Sequence, residues 1–471
     1  MTQLGVHQVQ KNNKTARRPG LVARLWHSIV SSSLYSESGN SGYRGAASTL
    51  ILHARPVSVP SSVLRYTHTF GLGGMALVLI LMLMGTGLLM IFVYEPSPER
   101  AYQSVLYMQE QILFGRLIRG IHYWSANLLI AVAVLHMLRV FLTGAYHAPR
   151  RSNWLIGLGL LFLILVSGFT GYLLPWDQLS YWAITICTEM LTYVPGVGET
   201  LQQVILGGEV IGPATVINFY ATHTTVVPML LVILMIWHFW KIRIVGGVVI
   251  PRNSGGDPET EMGYVRFKPD LLVREIAVAL ILIAFVLVVA IFFQAPLGEP
   301  ANPGLSPNPA KAPWYFLGFQ ELLLHFHPLF AVFVIPVLVA IAMVGVAYLR
   351  YDADLSGDWF LSAKGRSMAA VAAATAVLVT PLWILMDEFV VGPSGWLPGA
   401  EPVISNGLLP FAVMATGVVA FYILLKKFYS ASRNETVQAL FVLLVVSFTI
   451  LTVTGVWFRG AGMALGWPWQ T

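Results

Sequence analysis

Four histidines stand at matched intervals in two long apolar stretches. His122 and His136 are 14 residues apart, and His223 and His238 are 15 apart. On an α-helix 14 steps fall about 40° short of whole turns, and 15 steps pass them by about 60°. Each pair therefore lies near one helix face, its members about 21–22 Å apart along the axis. If both stretches run in the same direction, His122 faces His223 at one level and His136 faces His238 at another. Two neutral imidazoles facing each other across a bundle can hold a haem iron at both axial positions. A lone histidine here would serve equally well in helix packing or in a polar network. A matched two-by-two set is harder to read that way, because four polar rings in an apolar medium need partners.

Glycine repeats the interval. Gly73 and Gly87 are 14 apart, as are Gly157 and Gly171, in the stretches that flank the histidine-bearing ones. Small residues permit close packing of membrane helices; at this period they also clear room for a flat macrocycle at two depths. Arg119 lies three residues before His122 and Arg139 three after His136. These either pair with haem propionates or snorkel at the membrane boundary.

The elements that must position these residues are membrane helices. The chain has 471 residues, 56% hydrophobic and 11% charged, against roughly 25% charged in soluble domains. Apolar stretches approaching the ~20 residues that cross a bilayer occur at about 68–94, 121–145, 153–174, 216–241, 272–294, 326–349, 368–388, 408–426 and 435–457. We number these spans one to nine. Lys and Arg gather in the N-terminal arm and in alternate loops (Arg150, Arg151, Lys241, Arg243, Arg252, Arg350, Lys364, Arg366, Lys426, Lys427, Arg433). Residues 152–240 and 367–425 hold none. The bias places the basic loops and the N-terminus in the cytoplasm. It places the C-terminus and the loops after spans one, three, five and seven outside. The loop after span one fits less well, with Arg100, Arg116 and Arg119. The net charge of +6 thus reflects topology and is no nucleic-acid signal. The single Cys187 excludes an intrachain disulfide, a Cys-ligated iron–sulfur cluster and a CxxCH haem site; it reads as a buried small side chain. The Ser-rich basic arm lacks a signal-peptide pattern and suits an amphipathic helix on the membrane.

The segments GRLIRGIHYWSANLLIAVAVLHMLRVFLTG, GYLLPWDQLSYWA, INFYATHT and KAPWYFLGFQELL resemble the cytochrome b family of cytochrome bc and bf complexes, from roughly Arg55 to Leu349. The 15-residue spacing and Asp177 in PWDQ look more like the bf branch, with its two halves fused in one chain. The resemblance implies an all-α polytopic bundle with two b haems in a four-helix core. His122 and His223 would hold the outer iron, and His136 and His238 the inner, with clearance from Gly73, Gly87, Gly157 and Gly171. It also implies quinol oxidation at the outer face. One electron would pass to a Rieske iron–sulfur protein and on to a cytochrome c-type or multihaem carrier. The other would cross the haems to an inner quinone site, building a proton gradient. A homodimeric complex in a bacterial cytoplasmic membrane is expected, in contact with lipid and the quinone pool and with no nucleic acid.

Several positions depart from the family pattern. Where its quinol-site motif reads Pro-Glu-Trp-Tyr, this chain has Ala312, Pro313, Trp314 and Tyr315, without the acidic residue. Glu321 is the expected substitute proton acceptor, with His325 or His327 as relays. Trp314, Tyr315 and Asp177 complete the expected quinol site. Gln320 can hydrogen-bond but cannot take up a proton at ordinary pH. Gly71 stands where the bf branch attaches a covalent haem through cysteine, so no covalent haem is expected. Asn218 replaces an expected arginine. Spans seven to nine show no assignable charge pair and read as scaffold. The implied parts are an arm (1–67), a diheme four-helix domain (68–246), a cytoplasmic linker (247–271), a quinol-site domain (272–350) and additional spans (351–471). A rival reading is a diheme anchor that passes quinol electrons to a partner without a Rieske centre. A transporter with histidine relays explains neither the paired depths nor the glycine period.

Overall fold

The computed structural model describes residues 58–245, 247–250, 263–351, 357–392 and 395–469. The arm up to residue 57, with its expected surface helix, and most of the linker lie outside the described residues.

Nine helices among the described residues are long and apolar enough to cross a membrane: Leu72–Ile91, Gly115–Leu142, Arg151–Leu173, Pro213–Ile244, Pro269–Phe292, Leu329–Tyr348, Ala363–Val391, Ile404–Lys427 and Arg433–Trp457. They are spans one to nine, shifted by a few residues from their expected ends. Helix is imposed here because a lipid-exposed backbone must satisfy its own amides. Local chemistry sets the ends. Gly71 precedes span one at φ 66°, a left-handed conformation that glycine adopts without strain. Ser362 caps span seven by accepting from Gly365 N. Ser432 and Glu435 form a reciprocal capping box at the start of span nine. The only strands among the described residues are Ser58–Pro60 and Tyr264–Arg266, paired antiparallel, so the fold is all-α in its spans.

Two ends can be distinguished. The basic end carries Arg150, Lys241, Arg350 and Lys426. The other, here the PWDQ end, carries the loop after span three, the segment 293–328 with its short helix Leu317–His325, and the stretch after span nine. Spans one to five share one apolar core, in which Leu79, Leu129, Ile130, Ile164, Val227 and Val286 are buried. Spans seven to nine share a second core around Met368, Ala372, Leu425 and Ala439.

The two cores are joined at both ends. At the basic end, Phe141 of span two stacks on Phe441 of span nine, ring centroids 3.6 Å apart. There Gln438 Nε2 also donates to Phe141 O at 2.9 Å. At the PWDQ end the short helix packs on span nine at a position without a side chain: a Cβ on Gly318 would come within 2.7 Å of Phe448 and Thr452. Gly318→Val is therefore expected to lever the short helix off span nine, at an overpacking cost of about 1–3 kcal/mol. A lowered thermal midpoint of the detergent-solubilised protein would register it; an unchanged midpoint would mean that the junction is looser than drawn.

Candidate functional site

The four histidines meet in pairs. The ring centroids of His122 and His223 are 6.2 Å apart, and those of His136 and His238 are 6.4 Å apart. Metal–imidazole bonds of about 2 Å on each side, plus about 1 Å from nitrogen to ring centre, require a separation of roughly 6 Å. Each ring also lies against one glycine of the 14-residue set. A Cβ would stand 3.3 Å from His122 Cε1 at Gly87 and 3.5 Å from His136 Cε1 at Gly73. The corresponding distances are 2.4 Å from His223 Cε1 at Gly171 and 3.6 Å from His238 Cε1 at Gly157. The glycines thus let the backbones of spans one and three press against the ligand-type rings. At Gly171 no other residue fits without displacing the imidazole.

Two features at the PWDQ-end level were not anticipated. His223 sits in a π-helical turn, Thr222–Val226, within span four. Such turns insert one extra residue and recur at functional sites. The extra residue offsets the 15-against-14 mismatch, so a ring displaced on a regular helix returns to face His122. The outward nitrogens are also held. His223 Nδ1 donates to Ser167 O at 3.0 Å. His122 Nδ1 lies 3.0 Å from Thr86 Oγ1, whose own proton goes to Met82 O. Holding Nδ1–H in this way leaves Nε2 with its lone pair toward the opposite ring, the usual arrangement behind a metal-ligating histidine. Thr170 Oγ1 also stands 3.3 Å from His223 Nδ1. The signal was present in sequence: Thr86–Gly87 and Thr170–Gly171 repeat the same dipeptide at the same level. At the basic end, the backbone of Asn153 is the acceptor facing His238.

The two arginines are largely occupied by protein. Arg119 donates to Gln109 Oε1 (2.6 Å), Ala295 O (2.8 Å) and Pro296 O (2.6 Å), tying segment 293–296 to span two. Arg139 Nε donates to His68 O at 3.0 Å. Asp177 braces the PWDQ turn: Oδ1 accepts from Ser180 N and Oδ2 from Gly298 N. Asn218 turns toward the carbonyls of Val204 and Ile205. Cys187 is half-buried rather than fully buried.

Trp314 and Tyr315 lie against the histidine bundle. Trp314 Nε1 donates to Asn127 Oδ1 of span two at 2.7 Å, and Tyr315 packs on the core shared by spans one to five. Gln320 braces the preceding turn, accepting from Ala312 N and donating to Ala310 O. Glu321, fully buried, enters a charged cluster. Arg459 contacts it through Nε and Nη2, the closest approach 2.7 Å. His325 Nε2 lies 3.2 Å from Glu321 Oε1, and its Nδ1 lies 2.7 Å from Asp387 Oδ2. Arg459 Nη1 also reaches Glu388 at 2.8 Å.

This corrects the expectation that spans seven to nine carry no charge pair, since Asp387 and Glu388 close span seven and Arg459 follows span nine. Arg459 and Glu321 are separated by 138 residues, and nothing local in the sequence pairs them. His327 stands apart, edge-on to Tyr193.

Burial alone would raise the Glu321 carboxyl, but hydrogen bonds from His325 and Arg459 hold it below its ordinary value of 4.5. Burial would lower His325, yet Asp387 and Glu321 raise it above 6.5. A depressed carboxyl stabilises the fold above its unfolded value and loses that contribution as pH falls. A raised imidazole stabilises it below its unfolded value and loses that contribution as pH rises. The cluster's contribution should therefore peak between about pH 4.5 and 6.5. Arg459→Met, which leaves a buried carboxylate uncompensated, should cost about 3–5 kcal/mol. Thermal unfolding of both proteins from pH 4 to 9 tests this, and identical curves would refute it.

The residues 57–246 match the family model described as Cytochrome b/b6/petB. Among curated proteins the chain is 44% identical over 172 residues to cytochrome b6 of Synechococcus sp. (strain JA-3-3Ab), covering 36% of this chain and 80% of that one. It is 41% identical to cytochrome b6 of Prochlorococcus marinus (strain NATL1A), covering 36% and 79%. Among solved structures it is similar to a chain of "Hyperthermophilic respiratory Complex III", with TM-score 0.61 and 23% identity. That match covers 87% of this chain and 96% of the other. At that identity the likeness is one of fold, and it covers more of the chain than the stretch from Arg55 to Leu349.

Proposed function

The chain belongs to the cytochrome b family, and from that premise we propose that it is the diheme, quinol-oxidising subunit of a bc-type complex. It is a multi-pass membrane protein, and family membership implies b-type haem binding and electron transfer within an oxidoreductase assembly. The observation that carries the finer reading is the pair of facing imidazoles at two levels, each backed by glycine.

In this reading His122 and His223 hold one haem at the PWDQ end, and His136 and His238 hold a second at the basic end. The bound haems supply one-electron redox chemistry at two depths of the bilayer. The protein's part is to hold each ring pair, exclude water with the Leu79–Leu129–Val227 core, and place Trp314 and Tyr315 beside the PWDQ-end level. Arg119 and Arg139 retain donors beyond those used, and these remain available to propionates. Lys and Arg bias puts the basic end in the cytoplasm of a bacterial cell and the PWDQ end outside. Quinol then binds near Trp314 and Tyr315. A Rieske-type iron–sulfur partner feeding a cytochrome c-type carrier would take one electron, and the haems that His122, His223, His136 and His238 would hold would supply the one-electron route toward an inner quinone site. Glu321 is the nearby carboxylate for the released protons, in a complex built as a homodimer.

A pyridine haemochrome assay and a redox-resolved difference spectrum of the purified complex should give two b haems per chain at two potentials, both reducible by quinol. One haem, or none, would overturn the assignment. Gly171→Ala should displace His223 and leave one haem per chain. Gly157→Ala, whose Cβ makes only ordinary contact with His238, should retain both; equal haem loss in the two variants would count against the cradle.

A further inference from the structure

The segment 314–325 touches two otherwise separate parts of the molecule. Its first residues lie on the histidine bundle, Trp314 against Asn127 and Tyr315 against the shared core. Its last residues lie in the charged cluster completed by spans seven and nine. Glu321 lies six positions after Tyr315, in the short helix Leu317–His325 that begins two residues beyond it, so one short segment serves both the bundle and the cluster.

The cluster has a direction. The side chains of Glu321, His325 and Arg459 are 0%, 1% and 1% exposed, whereas Asp387 is 15% and Glu388 28% exposed. Both His325 nitrogens face carboxylate oxygens, which only a doubly protonated ring satisfies with two donors. The remaining hydrogen bonds hold the ends in place: Trp396 Nε1 donates to Asp387 Oδ1, and Arg459 Nη1 donates to Met463 O. The nearby Lys311 is turned to Val456 O, and His327 to Tyr193 and Leu329 N. Three carboxylates against two cations leave the cluster with one excess negative charge, so it has capacity for one more proton.

We propose that Glu321, His325 and Asp387 form the conduit through which protons released at the quinol site reach the aqueous phase. Spans seven to nine thereby belong to the proton-release machinery, with Arg459 and Glu388 holding the conduit in register. The proposal rests on the quinol-oxidising reading above. Each step conserves protons. A quinol O–H breaks and an O–H forms on Glu321, while the electrons leave to the haem pair and a one-electron acceptor protein. The doubly protonated ring gives its Nδ1 proton to Asp387, which releases it to water, and keeps its Nε2–H. Rotation of the ring then turns the vacated Nδ1 toward Glu321, which passes its proton there, and the reverse rotation restores His325. The raised proton affinity of His325 suits a group that is refilled before each release.

The test uses the intact complex and follows the rate at which quinol reduces the haems between pH 5 and 9. Asp387→Asn keeps the shape and one acceptor oxygen, enough for one of the two hydrogen bonds from His325 and Trp396, but removes the carboxylate that takes up the proton. It should slow reduction about a hundredfold, the lower end of proton-transfer catalysis, and shift the pH profile toward lower pH, with haem content and potentials unchanged. Asp387→Glu should recover most of the rate. A wild-type rate and profile in Asp387→Asn, or an Asp387→Glu as slow as Asp387→Asn, would show that the cluster is a brace and overturn the conduit. If Asp387→Asn does not assemble, His325→Gln replaces it. A slow rate restored by added imidazole supports the conduit; a normal rate, or a slow one that imidazole leaves unchanged, overturns it. Wild-type haems that quinol fails to reduce would remove the quinol-site reading and the conduit with it.

Discussion

Everything else in the molecule depends on two backbones being allowed to press against four imidazole rings. A bilayer interior offers no water to a polar ring, so a histidine there must be held by protein or by a metal. Packing held rings against neighbouring helices requires that the facing surface carry no side chain, which is why the glycine period matches the histidine period so closely. At Gly171 the approach is tight enough that even one carbon would collide with His223. The constraint runs both ways: the glycines weaken spans one and three as helices, and the contacts of the rings and the surrounding Leu79–Val227 core compensate for that loss.

The two levels are built differently. At the PWDQ end each ring has an outward partner, Thr86 for His122 and Ser167 for His223, and span four carries a π turn that re-aims His223. At the basic end no such turn is present in spans two or four, and the backbone facing His238 is that of Asn153, four residues before Gly157 as Ser167 is four before Gly171. The π turn and the Thr86 contact are therefore what distinguish the two levels.

How far the sequence discloses this depends on the range of the signal. Nine spans were legible because each is a local run of apolar residues longer than the bilayer requires. The histidine and glycine pairing was legible because a helix converts spacing into depth and face by fixed geometry. The π turn was not, since spacing converts to facing only along a regular helix and no residue type marks a bulge unambiguously. Arg119, Arg139 and Asp177 were recognisable as polar groups at helix ends, but each also has a carbonyl or amide partner from a segment more than 70 residues away, at Ala295, His68 and Gly298. The Glu321–Arg459 contact was the least visible. Asp387 and Glu388 close span seven and Arg459 follows span nine, and no spacing relates any of them to Glu321; only the fold sets all of them beside one short helix.

That short helix explains why the C-terminal spans cannot be a neutral addition. A buried carboxylate such as Glu321 is costly unless it is compensated, and the compensating guanidinium comes from beyond span nine. Without Arg459, Glu321 would have to lie protonated or move to the surface. Either change would disturb Gln320 and the Ala310–Ala312 turn that Gln320 braces, and through it Trp314 and Tyr315. In this chain the acidic residue is absent beside Trp314 but present seven positions on, where it is held charged by groups from elements that lie beyond the motif-bearing stretch. Moving the carboxylate and acquiring its distant partners are one physical change, because the first is not tolerable without the second.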